Sequence, residues 1–71
     1  MDIIQIEKDF NWVIKVLNSS LNNNHINTSI RLFEVFLEKW NWEISDEKKL
    51  SLHGVFNRNK TQKYSQINYH S

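Results

Sequence analysis

Apolar residues recur at spacings of three and four through the first third of the chain: Ile3, Ile6, Phe10, Val13, Leu17 and Leu21, with Ile14 beside them. That period predicts an amphipathic helix over residues 2–21, flanked by Glu7, Lys8, Asn11, Lys15 and Asn18. Asp2 at its start carries the charge that suits a helix N-terminus. The run Asn22-Asn23-Asn24-His25 then interrupts the pattern. Asparagine tolerates left-handed backbone and bonds to its own main chain, so the chain is expected to turn here. Asn27 or Thr28 offers a capping oxygen for a second helix over residues 28–42. Within it Ile30, Phe33, Leu37 and Trp40 repeat the spacing, Phe36 and Leu32 widen the stripe, and Arg31, Glu34, Glu38 and Asn41 take the wet side. The short connection implies an antiparallel helical hairpin.

Beyond Trp42 the pattern weakens. Ser45 followed by Asp46 and Glu47 is a helix N-terminal signature, and a short third helix would turn Leu50 and Leu52 toward the hairpin, with Gly54 as its stop. Leu50, Leu52 and Phe56 also alternate as a strand would, but a lone strand has nothing to pair with, so the helix is preferred. From Asn57 onward the residues are polar and aperiodic, which predicts an extended or disordered tail. The expected fold is all-α: a small antiparallel helical hairpin (about 2–21 and 28–42), a short third helix and a basic, extended C-terminal tail. Residues 1–56 would form the helical domain and 57–71 the tail.

Two facing helices cover one stripe each, and this hairpin has more apolar surface than that. Trp12 and Val16 point nearly opposite the Ile3–Leu21 stripe at about 100° per residue. Val35 and Trp42 fall outside the arc of the second helix. Isolated exposed apolar side chains are normal, so Ile4 or Val16 alone requires no explanation. Surplus aromatic surface is the stronger sign, because aromatic residues are enriched at interface hot spots. Trp12, Leu32, Val35, Phe36 and Trp42 are therefore the candidate protein-binding residues, with Trp40 read as core. A third helix packing across them is the competing explanation.

Charge divides the chain. Residues 1–47 hold eight acids and four bases, net −4, whereas residues 48–71 hold Lys48, Lys49, Arg58, Lys60 and Lys63 with no acid, net +5. The total of +1 conceals an acidic front and a basic end. Interleaved with Phe56, Tyr64 and Tyr69, the cations Arg58, Lys60 and Lys63 suit single-stranded nucleic acid, whose phosphates they would neutralise while the rings stack on bases. Their density is low, and a solvated tail is the simpler reading. A helix-turn-helix overlay on residues 50–63 fails, because Lys60 and Lys63 would occupy core positions of the recognition helix. An acidic protein surface, including the front of a second copy, is a further target for these cations.

Seventy-one residues make one domain with a marginal core, since such chains bury only about 60% of their unfolded surface. Cysteine is absent, which removes disulfides, thiolate–zinc sites and a thiol nucleophile and leaves association as the usual source of extra stability. His25, His53 and His70 have no metal-ligand spacing. Glu34 and Glu38 share a helix face, but with Arg31 a turn away they read as a solvated charged face rather than an acid–base pair. One glycine forms no phosphate loop. No catalytic residue, cofactor, metal or small-molecule substrate is therefore expected. No apolar run reaches the roughly 18 residues that span a bilayer, and an acidic start is unlike a secretory signal, so a soluble, cytoplasmic protein is expected. Alanine and proline are missing while Asn, Ile and Lys abound, a usage that fits an AT-rich genome such as a phage or mobile element. The reading as a whole is a non-catalytic protein-interaction module: an adaptor, an inhibitor (a phage inhibitor being the narrow form) or a small subunit of a larger complex. It would bind a protein partner, a second copy or both. Nucleic-acid binding through the tail is the alternative.

Overall fold

The computed structural model describes the backbone of residues 3–69 and the side chains of residues 3–67. Asp2 and His70, and the ring of Tyr69, lie outside what is described. The described chain forms three helices and no strand: α1 (Ile3–Asn18), α2 (Asn23–Lys39) and α3 (Asp46–Tyr69). The all-α expectation and the antiparallel hairpin hold, and the strand alternative for residues 50–56 does not. No helix among the described residues is long and apolar enough to cross a membrane.

The core forms where the three stripes meet. α1 contributes Ile6, Phe10, Val13 and Leu17, α2 contributes Ile26, Phe33 and Phe36, the second connection contributes Ile44, and α3 contributes Leu52 and Phe56. Phe33 is its centre. Its ring stacks on Phe56 at 4.4 Å between centroids and on Phe36 at 6.2 Å, meets Phe10 at 6.0 Å, and takes the edge of His53 at 5.0 Å. Offset and tilted aromatic pairs of this kind add about 0.5–1.5 kcal/mol beyond the area they bury. The unpatterned His53 thus lies mid-helix against the core rather than at a helix end.

α1 ends three residues earlier than its apolar period suggests, for reasons of hydrogen bonding. Its last four carbonyls need partners outside the regular ladder. Ser19 N–H donates to the carbonyls of Lys15 and Val16, Ser20 N–H to that of Leu17, and the two serine hydroxyls donate back to Lys15 and Val16. The fourth carbonyl, Asn18, accepts from Lys63 Nζ at 2.7 Å. All four are satisfied, and the chain leaves the helix. Leu21, expected on the core stripe, is consequently 80% exposed, and Ile3 at the other end is also exposed.

α2 starts five residues before the expected position. Asn22, not Asn27 or Thr28, is the N-cap: its Oδ1 accepts from His25 N–H, while His25 Nδ1 accepts from Leu21 N–H. The first bond is the forward half of a capping box with histidine in the usual Glu or Gln position, and the return bond falls one residue before the cap, on Leu21 N–H. Together they decide among several chemically equivalent caps. At the far end Trp40 closes α2, and the chain turns back so that Ile44 enters the core.

The third helix departs most from expectation. Ser45 caps it as anticipated, its Oγ accepting from Lys48 N–H. The helix then continues through Gly54, which has no positive φ, and through the residues expected to form a short stop and an extended tail. Leu52, Phe56, Lys63 and Ile67 lie on one face, and Tyr64 and Ile67 pack half-buried against the core. Asn59 and Lys60 interrupt that face in sequence and hide its period. Leu50 lies about 200° from Leu52 on the same helix and is exposed instead of facing the hairpin.

Candidate functional site

Three of the five expected anchors share one surface. α1 and α2 run antiparallel, so Trp12 and Val16 face Leu32 and Val35 across a shallow furrow that, among the described residues, no α3 side chain borders. One part of it, about 220 Å³, lies among Asp9, Trp12, Leu32, Val35, Phe36 and Lys39. The other, about 360 Å³, runs on from Trp12 past Val16 and Thr28 to His25. Trp12 belongs to both and marks the middle. It is 55% exposed and Val35 60%, while Leu32 is half-buried.

Phe36 behaves differently. It is 4% exposed, with its ring packed between Phe10 and Phe33. It forms the furrow's floor and is corrected from surface anchor to core residue. Trp42 is 94% exposed, but it stands on the connection between α2 and α3, beside Leu37, Glu38, Asn41 and Lys49. It does not share the furrow. Trp40, read as core, is half-buried, and its indole is fixed by a polar contact that the sequence did not suggest.

That contact is a hub closing one end of the furrow. Asp9 Oδ2 accepts from Lys39 Nζ and from Trp40 Nε1, both at 3.0 Å, and Oδ1 accepts from Gln5 Nε2 at 2.8 Å. Lys39 Nζ also lies 5.0 Å above the Trp40 ring. The Lys39 hydrogen bond is the main reason the Asp9 carboxyl is held below its ordinary value. Partial burial opposes it, and Gln5 and Trp40 add to it. The hub ties α1 to the last turn of α2.

The basic residues expected to act together are divided. Arg58 is exposed and stands about 160° around α3 from Tyr64's neighbour Lys60. Lys60 and Tyr64 are half-buried, and Lys63 is engaged on the α1 carbonyl already described. A cation at that carbonyl also complements the negative end of the α1 dipole. Arg58, Lys60, Lys63 and Tyr64 therefore form no single patch. Among the described residues no cluster of three His, Asp or Glu side chains has the geometry to hold a metal.

The chain matches no family model, and neither curated proteins nor solved structures give a match.

Proposed function

We propose that this chain is a non-catalytic protein-interaction module whose contact surface is the open furrow between α1 and α2. The observation that carries the reading is Trp12: a large aromatic held at the centre of an apolar furrow, half in solvent, on a side that the described residues of the third helix leave uncovered. Aromatic side chains in shallow apolar pockets are the usual anchors of interfaces. A groove between antiparallel helices accepts a further helix with the packing that builds four-helix bundles. Adaptor, inhibitor and small subunit are all forms of this one contact, and a second copy is one admissible partner. The separation of Arg58 from Lys60, and the use of Lys63 within the fold, weigh against a nucleic-acid arm.

Photo-crosslinking in the native host tests this. A benzophenone amino acid at position 12 is expected to yield polypeptide adducts, whereas the same group at position 58, on α3, yields few. Adducts at 58 with none at 12, or nucleic acid in place of protein, would overturn the proposal.

A further inference from the structure

The chemistry of the partner can be read from the charges that border the furrow, granted the furrow is the contact surface. On α1, Trp12 has Lys8 four residues before it and Lys15 three residues after it. On α2, Val35 has Arg31 four before and Lys39 four after. Residues three or four apart are neighbours on a helix surface, so each exposed apolar residue of this face stands between two cations. These are all four of the bases in residues 1–47. On α1 no acid joins the two lysines, because Glu7 lies about 140° around the helix from Trp12. On α2 Arg31 shares its edge with acids: Glu38, three residues after Val35 and about 20° around the helix from Arg31, extends toward Trp42 and Lys49, and Glu34 lies one turn from Arg31. Asp9, the remaining acid at the furrow, is already committed to Lys39 and Trp40. Among the described residues Lys8, Lys15 and Arg31 are in no ion pair.

A chain whose front half is net acidic thus presents two lysines free of ion pairs, Lys8 and Lys15, along the α1 edge of this apolar strip. We infer that the furrow receives an acidic amphipathic helix, a stripe of apolar residues flanked by Asp and Glu. From Asp9 to the helix end at Asn18 the furrow follows about 14 Å of α1, which accommodates apolar anchors at i, i+3 or i+4, and i+7 of a three-turn helix. The lining favours a helix over single-stranded nucleic acid. Val16, Leu32 and Val35 are aliphatic, and one ring, Trp12, offers no series of stacking platforms.

The test is a selection. A displayed library of helical peptides, with apolar residues fixed at i, i+4 and i+7 and random flanks, is selected on the full chain and counter-screened on Trp12→Ala. Binders that are lost on Trp12→Ala and carry flanks enriched in Asp and Glu are expected. On the variant Lys8→Glu/Lys15→Glu such a peptide should bind about 10-fold more weakly, and a lysine-flanked version should gain. Binders that need Trp12 but carry neutral or basic flanks would overturn the charge inference and leave the furrow standing as the contact. Binders indifferent to Trp12→Ala, or none at all, would overturn both. A labelled single-stranded oligonucleotide whose binding depends on Trp12 would overturn the inference in favour of nucleic acid.

Discussion

The hairpin has two long apolar sides, and the chain treats them differently. On one side Phe10 and Phe33 are covered by α3, whose Phe56 stacks on Phe33 and whose Leu52 is buried next to them. On the other, Trp12, Val16, Leu32 and Val35 make a furrow that nothing in the described chain fills. The covered side is centred on stacked phenylalanines. The open side mixes one indole with aliphatic residues and carries Lys8 and Lys15 along its α1 edge. Both are apolar enough to drive helix packing, so apolar content alone does not separate stability from binding. What separates them is whether the chain supplies its own third layer.

The comparison can be broken most severely from the covered side. Phe56→Ala removes the ring stacked on the core's centre and should cost about 3–5 kcal/mol. A chain of this size has roughly 4–10 kcal/mol in total, so the variant should lose about a third of its stability or more, read as a large fall in the urea midpoint. Next in size is Thr61→Pro, which asks whether residues 57–69 are the second half of α3. Thr61 is exposed, so within a helix the change should cost about 3 kcal/mol through a lost backbone bond and a clash. In an extended tail the urea midpoint would not move.

Smaller effects sharpen the picture at the furrow's end and along α3. Asp9→Asn keeps the shape of the hub and removes its charge, and should cost about 1 kcal/mol or less at pH 7, because the pair is partly exposed. Folding lowers the Asp9 pKa. Its contribution is therefore present above the unfolded value of about 3.9 and is lost as pH falls through the lower folded value. Wild type and Asp9→Asn should converge in thermal midpoint below about pH 4. Gly54→Ala should stabilise by about 0.5–1 kcal/mol. The glycine lies mid-helix and an added Cβ meets no atom within 4 Å, so only the helix propensity changes. A loss of stability there would mean α3 is broken at Gly54.

α1 and α2 were legible because each carries a dense stripe with polar residues between. Their boundaries were not, since Asn22, Asn27 and Thr28 are all competent caps and the bonds of His25 to Asn22 and Leu21 select the first. α3 was hidden for a different reason. Its core-facing line passes through Asn59 and Lys63, so helix formation there rests on tertiary contacts by Tyr64 and Ile67 and on the Lys63–Asn18 bond. At the candidate site the angular argument located Trp12, Leu32 and Val35. It misplaced Phe36, because a wide apolar arc does not say which part another helix will cover. The Asp9 hub joins residues 30 and 31 positions apart, which no local pattern reveals.

The most direct test of the division between the two sides is the urea unfolding free energy of Trp12→Ala set beside that of Phe56→Ala. Trp12 is already half in solvent, so its substitution should cost about 1–1.5 kcal/mol, less than half of the Phe56→Ala effect, with unchanged helical content. Equal losses would contradict the account, because the open furrow would then be holding the fold together as much as the covered core.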